Sequence, residues 1–268
     1  MSTTTGTIRS ADGTKIAYER TGDGPPLIIV DGALCYRGQG PSGPLAAALA
    51  TDFTVFTYDR RGRGESGESS EIAVEREIED VEALAKEAGG SPFVFGASSG
   101  AMLGLEAASH GVGVEKLAMY EPPLVVDDTH RPLPADWMPR LNAMITQGRN
   151  GDAVGEFMRF VDVPAFGLVI MRLLPVWSKL RNVAPTLRYD FAFLADLQQG
   201  RPLPETRWST ATQPTLVADG GKSPAWMRNG CKAMSEVLPN ATYQTVPGQT
   251  HLVKAKALAP VLREYFTA

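Results

Sequence analysis

The sequence predicts an α/β domain: a mostly parallel, doubly wound sheet interrupted by one helical insertion. Three observations point there. Continuously apolar runs such as Leu27-Ile28-Ile29-Val30 alternate with amphipathic helical stretches, which is how parallel strands covered on both faces read. One such run, Phe93-Val94-Phe95, passes directly into Gly96-Ala97-Ser98-Ser99-Gly100 and then into an apolar helical stretch. From Pro122 to about Trp208 no convincing strand occurs, while helical stretches rich in methionine and aromatic residues do. The expected division is a core of residues 1–121 and 209–268 and an insertion over residues 122–208.

Taken in order, Thr7 to Ser10 and Lys15 to Glu19 alternate in polarity around Ala11-Asp12-Gly13 and predict a hairpin at a sheet edge. Leu27 to Val30 is the first covered strand, and Thr54-Val55-Phe56-Thr57-Tyr58 repeats it after a short helix near Leu45 to Leu49. Val74, Ile78, Val81, Leu84 and Ala85 mark one face of a helix from about Ile72 to Glu87, stopped by Gly89-Gly90. The run Ala101 to Ala108 has few β-branched residues and predicts a buried helix whose N-terminus points at Ser98. Further strands are expected over Lys116 to Tyr120, Pro214 to Ala218 and Thr242 to Val246, with helices near Ala225 to Val237 and Leu258 to Phe266. That order builds a parallel sheet wound on both faces. Trp137, Phe157, Leu173, Leu174, Trp177 and Phe191 stand in the insertion, which suits a helical cap over the strand C-termini, where such sheets bind ligands. Most of these side chains are expected simply to pack the cap on the core.

Composition excludes several classes. With 268 residues, 43% of them hydrophobic, the chain can bury a large core. A net charge of −4, with both signs interspersed, offers no basic stripe for nucleic acid and no polybasic membrane patch. The polar start Met1-Ser2-Thr3-Thr4-Thr5-Gly6 lacks an apolar leader and no long apolar run follows, so a cytoplasmic location is expected. Two distant cysteines, Cys35 and Cys231, read as buried small hydrophobes and not as a disulfide or metal framework. The expected partner is a small molecule, with no cofactor and no metal.

The chemistry centres on Ser98. A serine on a sharp strand-to-helix turn needs near-absent side chains two residues to either side, and Gly96 and Gly100 supply them. The dipole of the following helix favours negative charge developing there. A serine hydroxyl also needs a base, most often histidine, and the chain has three. His110 ends the helix after Ser98, where a cation suits the dipole; His130 lies in a polar, proline-rich loop and is expected to be solvated. His251 follows the last strand in Pro247-Gly248-Gln249-Thr250-His251, at the same sheet end as Ser98, and is the expected base.

At this point the chain resembles the α/β-hydrolase superfamily over nearly its whole length. The resemblance rests on Asp59-Arg60-Arg61-Gly62-Arg63-Gly64-Glu65-Ser66, similar to that family's D-x-R-G-x-G-x-S turn, on Gly96 to Gly100, and on the terminal Gly248 to His251 loop. It implies an α/β-hydrolase fold and two oxyanion donors: the backbone N–H of Ser99, after the nucleophile, and that of Ala33, in the loop after the third strand. There Asp31-Gly32-Ala33 stands where many members read His-Gly-x. The family's usual acid position falls in Gly220-Gly221-Lys222-Ser223-Pro224, with serine in place of aspartate. Two carboxylates are left as candidates. Glu121 follows directly on the strand Lys116 to Tyr120, from which some members deliver their acid, and is the preferred choice over a purely local role in the Glu121-Pro122-Pro123 turn; Asp219 ends the penultimate strand and reads as structural. Gly62-Arg63-Gly64-Glu65-Ser66-Gly67 also satisfies a dinucleotide pattern, but Asp59, Arg60 and Arg61 separate it from the strand, and polar Glu68-Ser69-Ser70-Glu71 follows instead of an apolar helix.

These readings combine into a cofactor-independent serine hydrolase acting on an ester-like bond, ester, lactone or related acyl, of a substrate with a hydrophobic body, with Ser98, His251 and Glu121 as triad. A serine nucleophile argues against relatives resembling haloalkane dehalogenases and epoxide hydrolases, which place aspartate at that position. It leaves open relatives resembling carbon–carbon bond hydrolases, lactonases and cofactor-free haloperoxidases. The alternatives are a non-hydrolytic lyase or cyclase on a biosynthetic intermediate, and a ligand-binding protein without turnover.

Overall fold

Thr3–Arg9 (β1) and Lys15–Thr21 (β2) form an antiparallel hairpin at one edge of the sheet, paired from Thr3↔Thr21 to Arg9↔Lys15. The computed structural model describes residues 3–69 and 71–268; Met1 and Ser2 of the polar start and Ser70 of the run after Gly67 lie outside the described residues. β1 reaches further back than Thr7 because its extra residues are exposed threonines and a glycine, held by backbone pairing with no apolar period to read.

β2 pairs antiparallel with Thr54–Tyr58 (β4), and everything beyond is parallel: Pro26–Val30 (β3), Phe93–Ala97 (β5), Leu117–Tyr120 (β6), Thr215–Gly220 (β7) and Ala241–Val246 (β8). The order across the eight strands is β1-β2-β4-β3-β5-β6-β7-β8. Ser42–Leu49 (α1) and Ala255–Thr267 (α10) cover one face, burying Leu45, Leu49, Leu258, Leu262 and Phe266 against Leu27, Phe53 and Phe93. Val74–Glu87 (α2), Ser99–Ser109 (α3) and Ala225–Val237 (α9) cover the other through Val81, Leu84, Met102, Leu105 and Met234. Each such side chain, once buried, stabilises the fold by roughly 1.5–3 kcal/mol. In α3 ten residues are buried, so it is apolar on all sides, as a helix sandwiched between sheet and neighbours must be.

Between β6 and β7 the described residues form five α-helices and two short 3₁₀ turns, without a strand: Trp137–Thr146 (α4), Asn150–Phe160 (α5), Ala165–Leu173 (α6), Val176–Val183 (α7) and Leu187–Leu194 (α8). Their inner faces share a cluster with Leu34, from the loop after β3, and with Trp226 of α9. Trp137 sits 5.0 Å from Phe191 and 5.6 Å from Phe160, ring centre to ring centre.

Two expectations for this segment are corrected. Leu173 and Leu174 do not pack inward: they are 82% and 50% exposed, alongside Phe166, because α6 is short and turns Leu168 inward, leaving its opposite face without a neighbouring element. His130 is not solvated. Its loop folds under the inserted helices, where the ring lies 4.5 Å from that of Trp226 and 5.2 Å from that of Phe160. Nδ1 is 2.7 Å from the Arg131 carbonyl, and Nε2 is 3.2 Å from an Asp162 carboxylate oxygen but out of line for a hydrogen bond. The cysteines also differ from each other: Cys231 is buried, but Cys35 is half-buried.

Candidate active site

Ser98 occupies the residue between β5 and α3, with φ 56° and ψ −126°. A non-glycine side chain held in that region is strained, and such strain gathers at functional sites. The surroundings leave the backbone no other course. A Cβ at Gly96 would meet the Gly100 carbonyl and the Ala101 backbone, and one at Gly100 would meet the carbonyls of Val30 and Asp31, so helix and sheet come into backbone contact at these two positions. The first amide of α3 follows immediately at Ser99. Neither it nor the Ala33 N–H donates to a backbone or side-chain acceptor among the described residues. The loop bearing Ala33 lies against the serine, since a Cβ at Gly32 would come within 2.9 Å of Ser98 Cβ.

Glu121 is fully buried at the C-terminal end of β6, with its backbone at φ 46°. Its carboxylate has two partners. Oε1 accepts the Gly220 N–H at 2.7 Å, and Oε2 lies 2.8 Å from His251 Nδ1. A carboxylate only accepts, so the shared proton sits on Nδ1 and the Nε2 lone pair is left free. The His251 loop is brought in by Tyr120, whose hydroxyl donates to the Thr250 carbonyl at 2.8 Å, and by Gly220, where a Cβ would meet the Gln249 carbonyl at 2.6 Å. Tyr120 also receives the Ser98 N–H on its own carbonyl at 2.8 Å. Ser98 and His251 are therefore both anchored to the pair Tyr120-Glu121, although no hydrogen bond joins the serine Oγ to the imidazole among the described residues.

The competing groups lie elsewhere. Asp219, also fully buried, accepts the Tyr243 hydroxyl at 2.5 Å and has Arg228 Nε at 3.7 Å, on the β7–β8 side. Ser223, at the family's usual acid position, is buried with no partner for its hydroxyl among the described residues. His110 caps α3, with Nδ1 2.8 Å from the Glu106 carbonyl.

The glycine-rich run after β4 forms a tight turn, Gly62 at φ 73° and Gly64 at φ 52°, and α2 begins only at Val74, so no helix N-terminus opens there for a nucleotide phosphate. Its three arginines are almost completely buried. Arg61 makes a two-pronged pair with Asp80 at 2.7 and 2.8 Å. Arg60 takes both carboxylate oxygens of Glu77 at 2.7 Å, and Arg60 and Arg63 share Asp190 of α8. Burial weakens the positive form of Arg60, yet the carboxylates of Asp190 and Glu77 outweigh it and hold its pKa well above the ordinary value. Sequence reasoning missed Tyr120, Gly220 and this network. A run of Asp-Arg-Arg directly after an apolar strand, and a single acid in the aromatic-rich Leu187–Leu194 helix, were the available signals.

A family-wide sequence profile, that of the alpha/beta hydrolase family, matches residues 29–259. The chain belongs to the alpha/beta hydrolase family. Its fold agrees over nearly its whole length with an alpha/beta hydrolase from Sphaerobacter thermophilus, at 48% identity and a TM-score of 0.90, over 97% of this chain and 100% of the other. A thermophilic esterase from Thermogutta terrifontis shares the fold at 20% identity and a TM-score of 0.73, over 98% of each chain. The uncharacterized hydrolase YraK of Bacillus subtilis is 34% identical over 133 residues, 47% of each protein, so the matched stretch spans about half the length of that relative. Within this alpha/beta hydrolase the departure at Asp31 places a carboxyl in a buried position. Burial pushes its carboxyl up to about 6, more than the Ser42 hydroxyl and the Arg63 and Arg60 charges pull it down.

Proposed function

We propose that this alpha/beta hydrolase is a serine hydrolase that cleaves an ester or lactone bond through an acyl-enzyme. The observation that carries the reading is the buried Glu121 carboxylate on His251 Nδ1, 2.8 Å away, beside a strained serine at the N-terminus of α3. Ser98 Oγ attacks the carbonyl carbon and its proton passes to His251 Nε2; Glu121 stabilises the imidazolium. The Ser99 and Ala33 N–H groups take the negative charge that collects on the carbonyl oxygen. The carbon–oxygen bond of the substrate breaks as His251 gives the proton to the leaving alcohol. Water then attacks the acyl-enzyme, again losing a proton to His251, and Ser98 regains its hydrogen as the acid departs.

The inserted helices act as a cap in this reading. Ala33, Leu34 and Tyr36 of the oxyanion loop belong to the same apolar cluster as Trp137, Phe157 and Met158, which supports a small substrate with a hydrophobic body. The test is reaction with a fluorophosphonate at neutral pH followed by peptide mass mapping. The expected result is a single adduct on Ser98 with loss of activity toward p-nitrophenyl esters, and neither adduct nor activity in Ser98→Ala; folded protein that takes no adduct on Ser98 overturns the reading. The open Ser98–His251 link favours one other reading, ligand binding without turnover, and the same experiment separates the two.

A further inference from the structure

We propose that Asp190, on α8 of the inserted helices, is a positioning residue that sets both oxyanion donors. The proposal rests on the reading of Ser98 as nucleophile with Ser99 and Ala33 as donors. Asp190 is 1% exposed and its two oxygens take three donors: Oδ1 accepts from Ser99 Oγ at 2.7 Å and from Arg60 Nη1 at 2.7 Å, and Oδ2 accepts from Arg63 Nη2 at 2.8 Å. The same guanidinium groups reach the oxyanion loop. Arg63 Nη1 donates to the carbonyls of Gly32 at 2.7 Å and Cys35 at 3.1 Å, and Arg60 Nη1 donates to that of Asp31 at 3.2 Å.

Peptide geometry turns these contacts into aim. The Gly32 carbonyl and the Ala33 N–H belong to one trans peptide, so they point in opposite directions. Pinning the carbonyl inward on Arg63 turns the Ala33 N–H outward, from a loop that already lies against Ser98. The second donor is fixed by the same carboxylate, because Ser99 is held through its own side chain at the first position of α3. A lone carboxylate thus indexes two backbone amides, one in the loop after β3 and one at the start of α3. Burial pushes the Asp190 carboxyl up, but Arg60 and Arg63 prevail and keep it below the usual carboxylate range, so it stays charged while it does this. Preorganised donors of this kind lose their effect when displaced by fractions of an ångström.

The experiment compares the wild type with Asp190→Asn, which keeps the shape and removes the charge, and with Ser99→Ala, which keeps every charge and removes the hydroxyl with its bonds to Asp190 and to Arg60 Nη1. It reads kcat and KM on a p-nitrophenyl ester, inhibition by an alkylboronic acid that forms a tetrahedral adduct on serine, inhibition by the carboxylate product, and thermal melting. Folded Asp190→Asn is expected to lose roughly 100-fold in kcat with KM within about threefold, the scale set by removing one oxyanion donor. Boronate affinity is expected to fall in step with kcat while product affinity holds. Ser99→Ala is expected to show the same split at roughly tenfold. Folded Asp190→Asn with kcat within about threefold of wild type overturns the proposal, as does equal loss of boronate and product affinity. If Asp190→Asn does not fold, Ser99→Ala decides by the same criteria. A wild type that takes no fluorophosphonate on Ser98 overturns the underlying reading and this one together; normal labelling with an unaffected Asp190→Asn overturns this one alone.

Discussion

Glu121 bears its carboxylate from a left-handed backbone at φ 46°, in a segment followed at once by Pro122 and Pro123. A bulky residue in that region is unfavourable by about 1–3 kcal/mol unless its surroundings over-determine it. Here they do: its N–H donates to Ala218, one side-chain oxygen takes Gly220, and the other takes His251. Asp219, on the neighbouring strand β7, has no such connection and spends its contacts on Tyr243 and Arg228. The contrast yields a direct comparison on a model ester. Glu121→Gln can no longer enforce the Nδ1–H tautomer and is expected to lower kcat by about 10³-fold, with KM little changed. Asp219→Asn is expected to stay within about threefold of wild type, the scale of a side chain outside the reacting unit. A reversed order of the two effects would move the acid to β7.

At the scale of elements, the decisive object is the junction of β5 and α3. Gly100 faces the backbone carbonyls at the end of β3, and backbone does not yield as a flexible side chain would. Gly100→Ala is therefore expected to destabilise by about 3 kcal/mol or more, read from the urea midpoint, because helix and strand must separate to admit the methyl group; a loss under about 1 kcal/mol would show slack in the turn. This junction was legible beforehand, since apolar Phe93 to Phe95, paired small residues around Ser98 and an apolar helix announce it by local pattern alone. So were the covered strands β3 and β4. What escaped depends on partners distant in the chain. Exposed threonines in β1 carry no hydrophobic period, so its first residues become a strand only by meeting β2. His130 looks polar by its neighbours Thr129 and Arg131 and is buried by Trp226 and Phe160 from two other elements. Asp190 is the one acid of α8, and its meaning requires Arg60 and Arg63, some 130 and 127 positions away. Tyr120 and Gly220 act through contacts with the His251 loop that no spacing in either segment announces.

For the whole molecule, buried carboxylates set how stability responds to pH. Burial raises both Asp31 and Asp80 from 3.8 to about 6, in spite of the arginines beside each. An acid that holds its proton more tightly folded than unfolded contributes stability that is full below about 4 and is lost as pH rises through about 6. Asp31→Asn removes one such liability. Denaturant unfolding is expected to show the variant more stable than wild type at pH 7.5, by up to roughly 3 kcal/mol at about 1.4 kcal/mol per unit, with the gap closing near pH 4. An equal difference at both pH values would mean that burial is not the cause.

Asp190 also bears on how far the two halves of this molecule are interchangeable. It belongs to the segment between β6 and β7, while the guanidinium groups it neutralises follow β4. Grafting in a foreign segment that lacks an acid at this place would strand Arg63 without its counter-charge inside a dry interior, a loss on the order of 3–5 kcal/mol. Chimeras of this scaffold should therefore carry an aspartate across with any transplanted segment between β6 and β7.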